Sequence, residues 1–293
     1  MSTILVDEAF FDTLLAKALP PPYLEDLDDL ELEDLEKSYF DRINELIEEH
    51  KFLAIAFLST VGAQLLINNP ISLNNHFFDN VEDEIRANTL KYESAIDKII
   101  EDKYHEGAAE GFKQLNRKFV TSIADDYTLK FLKNYNFDLI KTVSNDLKVA
   151  LRREIWEGIT KKESANQITR RIEKLNLKPI RAGNRTISPH ERAKMIARTE
   201  TMRVKNAAKL MSYKHYGVKK VRVPRIFDAR ECGKCILVCD DSPYTIDEAE
   251  GILPVHVVCR HTFAPDGDWT EEPVELSEND YVFMINKVGG LII

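Results

Sequence analysis

Apolar residues recur at steps of three and four over most of the first two thirds of the chain. This periodicity predicts long amphipathic helices, which we place at 81–118, 122–134, 137–158 and 189–216. Pro70 is the single proline between residues 39 and 175, and we expect it to lie in a loop over residues 68–75. The pattern favours a mainly α fold, either an elongated helical bundle or a helical hairpin.

Breaker and capping residues suggest where helices end. We expect Gly158 to terminate one helix and residues 160–163 to supply a capping box for the next. Gly217 is a natural left-handed terminator for the helix before it. Alternation over residues 218–223 then predicts a short strand, so the C-terminal part is expected to be a small α+β segment.

These elements divide the chain into four predicted regions. They are an acidic N-terminal arm at 1–38, a helical region at 39–187, a motif region with a Cys/His knuckle at 188–267, and an acidic then apolar tail at 268–293. The arm has two possible partners. It docks on a basic surface of another molecule, or it packs on the basic part of this chain.

The longest uncharged run raises the question of a membrane. Residues 52–67 carry no charge, but 16 residues fall short of the roughly 18–20 that a membrane-spanning helix needs. We therefore expect a buried helix and no stable membrane span. Residues 1–20 lack the features of a signal peptide, which favours a reducing compartment.

The net charge of -9 conceals a strong asymmetry. Residues 1–50 carry a net charge of -12 and residues 227–293 carry -10, whereas residues 141–226 hold 7 acidic and 23 basic side chains, a net charge of +16. A basic block of this size indicates a surface for double-stranded DNA or an acidic protein, although the acidic flanks could equally be its partner. The candidate polyanion-binding residues are Lys178, Arg181, Arg185, Lys219, Lys220, Arg222 and Arg225.

All four cysteines lie in one short segment near the end of the chain. Cys232 and Cys235 form a Cys-x-x-Cys pair, and His256 and Cys259 form a His-x-x-Cys pair after 20 intervening residues. Zinc favours four sulfur or imidazole ligands in a tetrahedron, and a complete set leaves no open position for water. The spacing thus predicts a structural zinc ion that staples this segment.

The spacing does not single out the fourth ligand. Cys239 and His261 are spare candidates, and the same cysteines could instead be buried thiols or form two disulfides. A thioredoxin-type redox pair is disfavoured, because the segment lacks the alternation of strands and helices around it.

A series of short motifs in fixed order resembles the phage Mu F-like family of minor head, or head-morphogenesis, proteins of tailed viruses. The series covers roughly residues 168–265 and comprises Ile196-Ala-Arg-Thr-Glu-Thr201, Asn206, Tyr213, Gly217, Asp228-x-Arg-x-Cys-x-x-Cys235 and Pro254-x-His-x-x-Cys-Arg260. Where the family usually ends this last motif with a cysteine, the chain has His261, which can itself bind zinc.

The resemblance implies a low-copy virion component of the head interior, made in the host cytoplasm during assembly. Members of the family are associated with the portal, with genome packaging or with delivery of DNA on ejection. We therefore expect a non-enzymatic protein that binds the portal and the interior of the capsid or scaffold, and that contacts double-stranded DNA without sequence specificity.

The Arg-Thr-Glu motif invites an enzymatic interpretation. In a helix, however, Arg198 and Glu200 project about 200° apart, whereas Glu200 and Arg203 can pair on one face. We interpret the motif as part of a polar latch between the helix and the knuckle. Its residues are Arg198, Thr199, Glu200, Arg203, Asn206, Asp228 and Arg230.

No phosphate-binding glycine loop, nucleophile elbow or His-Glu-x-x-His helix is present in the sequence. The alternative function is a zinc-containing, nuclease-like enzyme acting on nucleic acid, in which Asp228, His256 and His261 would surround a catalytic ion.

Overall fold

A computed structural model describes residues 33–61, 70–161, 163–175, 180–182, 185–187, 189–228, 230–256 and 258–282. Its main helices are α1 (Asp34–Val61), α2 (Pro70–Leu115), α3 (Ile123–Thr160), α4 (Ala165–Glu173) and α5 (Pro189–His215). The mainly α prediction is confirmed.

Contacts between the long helices give their directions. Glu33, which leads into α1, lies 3.0 Å from Lys103 of α2, and Glu49 of α1 lies 3.0 Å from Lys91, so these two helices are antiparallel. Hydrogen-bonded pairs between α1 and α3 show that these two helices are parallel. Close contacts between α2 and α5 show that these two helices are also parallel. The helices therefore form a bundle that alternates up and down.

The C-terminal part is the small α+β segment that the sequence predicts. It contains α6 (Gly233–Asp240), α7 (Ile246–Ala249) and a sheet in the order β4-β3-β5. Its strands are β3 (Lys220–Arg222), β4 (Tyr244–Thr245) and β5 (Ala264–Asp266), all paired antiparallel. Strands β1 (Ile180–Ala182) and β2 (Arg185–Ile187) form a separate hairpin, and a 3-10 turn follows at Glu278–Asp280.

Three boundary predictions are wrong. Pro70 begins α2 rather than lying in a loop, because the first helical position needs no backbone N–H. Helix α3 joins the two segments predicted at 122–134 and 137–158 and continues past Gly158. The cap of α4 is Ser164, whose Oγ accepts from the Gln167 N–H at 3.4 Å, and not residues 160–163.

Gly158 serves packing rather than termination. A Cβ at this position would lie 2.6 Å from Cγ1 of Ile168 on α4, so only glycine allows the short helix to approach α3. Gly217, in contrast, ends α5 with φ +65, as its sequence context predicts.

Helix α1 begins inside the predicted acidic arm. Asp34 is its first residue, and the Glu36 side chain is fully buried against Arg198 of α5, with 3.2 Å between the carboxylate and the guanidinium Nε. This end of the arm packs on the basic part of the same chain. The rest of the arm, residues 1–32, lies outside the described residues.

Within the part of the chain that the structure describes, no helix has both the length and the apolar character needed to span a membrane. In the segment predicted to be buried, Ala54 and Leu58 are buried, whereas Phe52 is exposed. Residues 62–67 of that segment lie outside the described residues.

Substituting Gly107 with alanine should destabilise the bundle. The new Cβ would lie 2.7 Å from the carbonyl oxygen and 2.9 Å from Cα of Lys205, so the backbone of α2 or α5 would have to move. Overpacking costs about 1–3 kcal/mol, which outweighs the roughly 1 kcal/mol gained in helix propensity. In urea denaturation, the matched variant Gly233→Ala should keep its stability, because outside the adjacent residues and the helix's own backbone no atom lies within 4 Å of the position that its methyl group would take. Equal effects of the two substitutions would contradict this explanation.

A buried histidine should make stability fall in mild acid. His50 of α1 is fully buried, with Nε2 3.1 Å from Oγ of Ser144. Burial, together with the charge of Lys148, lowers the pKa of His50 to about 4, although a hydrogen bond with the Leu46 backbone and the charge of Glu49 oppose the shift. Below about pH 6.5, His50 therefore binds a proton in the unfolded chain but not in the folded chain. As a result, the stability of the folded state falls as the pH drops towards 4.

The free energy of unfolding should therefore fall by about 2 kcal/mol between pH 7 and pH 5. The variant His50→Gln keeps a polar group but cannot titrate. Urea unfolding of both proteins at the two pH values should show this extra loss only with His50. The same pH dependence in both proteins would exclude His50 as its origin.

Candidate metal centre

The first half of the Cys/His segment is formed by the start of α6. Cys232 occupies the N-cap, and its Sγ accepts from the Cys235 N–H at 3.4 Å. One helical turn thus holds both sulfur atoms on the same side. Both cysteines are buried.

The second half comes from the loop after α7. His256 Nε2 lies 3.1 Å from Cys235 Sγ, and Cys259 Sγ lies 3.9 Å from the same sulfur. In a tetrahedral zinc site, bond lengths of about 2.3 Å to sulfur and 2.0–2.1 Å to nitrogen place neighbouring donors about 3.6–3.8 Å apart. The observed separations are close to these values, so the donors fit a metal ion of this size.

Two overlapping groups of possible ligands share Cys235. One is Cys232, Cys235 and His256, and the other is Cys235, Cys259 and His261; within each group the donor atoms lie within 4.8 Å of one another. The structure thus places the four predicted ligands around Cys235, in two groups of three rather than in one group of four, and the spare candidate His261 belongs to the second group. These residues could hold a metal ion.

The protonation of the thiols also fits a cation. Hydrogen bonds with Cys232 and Cys259 raise the pKa of Cys235 far above its ordinary value. Three adjacent thiolates repel one another, so in the absence of a cation the central sulfur keeps its proton. A metal ion among them would remove this repulsion and favour deprotonation.

His261 is oriented by a buried carboxylate that the sequence analysis missed. Its Nδ1 lies 3.8 Å from Cys259 Sγ, and its Nε2 lies 3.0 Å from Oε1 of Glu231. Burial alone would raise the pKa of Glu231, but hydrogen bonds from the Ile226 N–H, His261 and Arg225 lower it to about 2. A carboxylate on the far side of an imidazole is the usual way in which proteins orient a metal-binding histidine.

Cys239, the other spare candidate, lies on the far side of this carboxylate. It forms a third group with Glu231 and His261, and its Sγ is 3.7 Å from the Pro224 carbonyl oxygen. Burial raises the pKa of its thiol to about 11. Cys239 therefore belongs to a group that does not include Cys235, the residue that the two Cys/His groups share.

The predicted latch residues on α5 divide into two sets. Thr199 and Asn206 face the Cys/His segment. The Val258 N–H donates to Thr199 Oγ1 at 3.0 Å, and the Asn206 amide donates to the His261 carbonyl and accepts from the Phe263 N–H, each at 3.2 Å.

Two further residues of α5 extend this line of hydrogen bonds. Lys209 Nζ donates to Thr262 Oγ1 at 3.1 Å, and the Tyr213 hydroxyl donates to the Phe263 carbonyl at 3.1 Å. One face of α5 therefore holds the chain that follows Cys259. The sequence signal for it is the helical spacing of Thr199, Asn206, Lys209 and Tyr213, which follow one another at steps of seven, three and four residues.

The other latch residues on α5 face the helical body. Arg198 pairs with Glu36, and Glu200 pairs with Arg203 at 3.0 Å in a fully buried position. The Arg203 guanidinium also lies 5.2 Å from the centre of the Tyr135 ring. These residues connect α5 to α1 and α3 rather than to the knuckle.

Asp228 is paired with an arginine. Its two carboxylate oxygens accept from Arg260 at 2.7 Å each, and this hydrogen bonding lowers the pKa of Asp228 to about 2. Among the described residues, none of the possible metal-binding groups includes Asp228. Arg230 is exposed.

Three of the predicted polyanion-binding residues, Lys219, Lys220 and Arg222, are exposed. Lys219 and Lys220 lie at the surface at the start of β3. Arg181 of β1 pairs with Thr186 of β2, and Arg185 of β2 pairs with Ala182 of β1. Lys178 lies outside the described residues.

Arg222 and the remaining candidate, Arg225, form ion pairs within the chain. Arg222 pairs with Asp266, and Arg225 pairs with Glu231 at 2.9 Å and with Asp240 at 3.5 Å. Other basic residues of the block do the same; the pairs include Arg198–Glu36, Lys205–Glu110, Lys209–Glu110 and Lys214–Glu250. The acidic parts of the chain thus neutralise a substantial share of the basic block.

Comparison with known protein families identifies the segment that contains this site. Residues 145–264 match the family described as phage Mu protein F like protein. No curated protein and no solved structure gives a significant match. The match runs from α3 to β5 and includes α5 and the whole Cys/His cluster.

The match therefore covers 120 of the 293 residues, less than half of the chain. The resemblance seen in the short motifs is confirmed, and residues 145–264 are phage Mu F-like.

Proposed function

We propose that the chain is a non-enzymatic minor head protein of a tailed virus or prophage, with one structural zinc ion in the Cys/His cluster. The observation that carries this proposal is the family match, which covers both the long helix α5 and the cluster that α5 holds. Thiolate and imidazole ligands in a closed, buried site suit zinc and leave no position for a substrate.

The residues of this chain have defined tasks in such a site. Cys232, Cys235, His256 and Cys259 would bind the ion, with His261 as the alternative fourth ligand. When bound, zinc supplies a fixed tetrahedral link between segments that are distant in sequence. Glu231 orients the imidazole of His261, and Asn206 holds the loop on α5.

The proposed partners are the portal and the interior of the capsid or scaffold. The helical body offers a long surface for such contacts in the head interior. Because many of the basic residues are paired within the chain, a protein partner is favoured over extensive binding of DNA. Non-specific contact with packaged DNA through exposed lysines such as Lys219 and Lys220 is a secondary part of the proposal.

Co-purification with the portal protein from the same genome tests the proposal. We expect a defined complex at about 150 mM salt with about one zinc ion per chain, and comparison with about 500 mM salt shows how far charge stabilises it. A chain that does not bind the portal, and that contains no zinc after reduced handling, would overturn it. DNA affinity that does not change between about 50 and 200 mM salt would exclude the DNA contact.

A further inference from the structure

The chain that follows β5 crosses the end of the bundle at which α2, α3 and α5 meet. Its hydrogen bonds reach each of these helices in turn. They join Trp269 Nε1 to the Leu115 carbonyl oxygen at 3.2 Å, the Val274 N–H to the His215 carbonyl oxygen at 2.8 Å, and the Val282 N–H to Thr128 Oγ1 at 3.0 Å. We refer to residues 268–282 as the strap.

The end of the strap is fixed on the first turns of α3. The Tyr127 hydroxyl donates to a carboxylate oxygen of Glu278 at 3.2 Å, and the ring centres of Tyr127 and Tyr281 lie 6.2 Å apart. Val282, the last described residue, is fully buried. The strap therefore ends beside Tyr127.

An apolar surface lies next to this point. Ile123 and Tyr127 are 51% and 42% exposed, and at a spacing of four residues they share one face of α3. Phe119, in the turn from α2 to α3, is 49% exposed. We refer to Phe119, Ile123 and Tyr127 as the apolar patch.

Contacts with α2 place Phe119 near the start of α3. Its ring centre lies 6.3 Å from that of His105 on α2. The residue before it, Tyr104, donates to Asp125 of α3 at 2.8 Å. Because Asp125 belongs to the first turn of α3, Phe119 lies beside the turn that carries Ile123. The three exposed side chains therefore form a patch rather than isolated apolar residues.

The residues that follow the strap are apolar as well. Residues 283–293 read Phe-Met-Ile-Asn-Lys-Val-Gly-Gly-Leu-Ile-Ile, with seven apolar side chains and one charge, that of Lys287. They lie outside the described residues. We refer to them as the apolar segment.

The apolar segment starts within reach of the patch. Five residues of helix separate Ile123 from Thr128, a rise of about 7.5 Å. An extended chain covers this distance in about three residues. Residues 283–285, which are Phe, Met and Ile, are therefore long enough to lie over the patch while Val282 keeps its hydrogen bond to Thr128.

We propose that residues 283–293 bind the apolar patch of the same chain, so that the strap and the apolar segment together close this end of the bundle. The free energy comes from burying the exposed parts of Phe119, Ile123 and Tyr127 against apolar side chains. This inference goes beyond the proposed function and depends neither on zinc nor on the portal.

The N-terminal arm is a less suitable occupant of the patch. Residues 25–32 precede Glu33, which bonds to Lys103, two residues before His105. Five of these eight residues are acidic. Burying carboxylates against apolar side chains costs free energy, whereas residues 283–285 carry no charge.

Site-specific photo-crosslinking of the purified full-length chain tests the proposal. A photoreactive phenylalanine replaces Ile123 in one variant and Val149 in the matched control, which lies on the same helix and is 54% exposed. Mixing isotope-labelled and unlabelled chains distinguishes an adduct within one chain from an adduct between two. Position 123 should form a within-chain adduct with residues 283–293, at a yield at least about tenfold above that of position 149, because docking raises the local concentration of the segment.

An adduct with residues 1–32, an adduct between two chains, equal yields from both positions, or no adduct would each overturn the proposal. None of these results depends on zinc content or on portal binding. Failure of this inference is therefore distinguishable from failure of the proposed function.

Limited proteolysis of the full-length chain gives a second test. Trypsin cleaves after Lys287 and releases a peptide that starts at Val288, which mass spectrometry identifies. Ile123 is the first residue of α3, where an acidic side chain is favourable, so Ile123→Asp should keep the helix while placing a charge in the patch. Release of the peptide should be about tenfold faster in this variant, because cleavage follows the population in which the segment is detached. Val149→Asp should leave the rate unchanged, and equal rates in the parent chain and Ile123→Asp would refute the docking.

Discussion

Replacing Cys235 with serine should abolish metal binding and unfold the C-terminal segment. Cys235 is the residue that the two Cys/His groups share, so its loss removes a ligand whichever histidine completes the site. Structural zinc contributes about 10–16 kcal/mol to the folding of small zinc-finger peptides, far more than a segment of this size can gain from packing. The zinc content should fall from about one ion per chain to nearly zero.

Elemental analysis measures the zinc, and hydrogen exchange over residues 228–263 reports on the fold of the segment. Cys239→Ser is the matched control, because the Cys239 sulfur lies within 4.8 Å of Glu231 and His261 in a group that does not include Cys235. It should keep the ion and the protected segment. Full zinc content in the Cys235 variant, or equal loss in both variants, would show that the ligands have been assigned incorrectly.

Replacing Glu200 with alanine should destabilise the helical body by about 3–5 kcal/mol, the usual cost of leaving a buried charge without its partner. The Glu200 side chain is inaccessible and that of Arg203 is 2% accessible, with 3.0 Å between the carboxylate and Nε. Burial raises the pKa of Glu200 while the guanidinium opposes this shift, so the ion pair depends on both charges. Urea denaturation followed by circular dichroism measures the loss.

Glu48→Ala is a matched control with the same spacing along a helix. Glu48 pairs with Lys51 at 2.8 Å, three residues apart, but its side chain is 69% accessible. That pair should contribute only about 0–1 kcal/mol. Replacing both buried residues, as in the double variant Glu200→Leu and Arg203→Met, should recover much of the stability. Similar losses from Glu48→Ala and Glu200→Ala would contradict an effect of burial.

Local patterns predicted the parts of the fold that depend on nearby residues. The three- and four-residue periodicity identified the long helices, because one apolar face must be buried whatever it packs against. Gly217 ended α5 as expected, since φ +65 is a property of that residue and its immediate neighbours. The family motifs likewise located the cluster that contains Cys235.

The sequence was a poor guide to residues whose role depends on contacts with another element of the fold. Glycine is a typical helix terminator, but at Gly158 the absence of a Cβ leaves room for the side chain of Ile168 of α4. The basic block predicts a surface for polyanions, and this stays a prediction, although Arg222 and Arg225 pair with acidic residues further along the chain. Charge counts along a sequence do not show which opposite charges meet after folding.

The amino-acid sequence alone determined the helical class of this protein, the phage Mu F-like character of residues 145–264 and the six Cys and His residues that could bind a metal ion. These properties follow from short-range spacing, which the chain carries before it folds. Tertiary packing decided the rest: that Glu231 lies behind His261, that Thr199 and Asn206 hold the knuckle while Glu200 and Arg203 face the core, and that Ile123 stands exposed. Each of these depends on contacts between residues far apart in sequence, or on how much of a side chain such contacts cover.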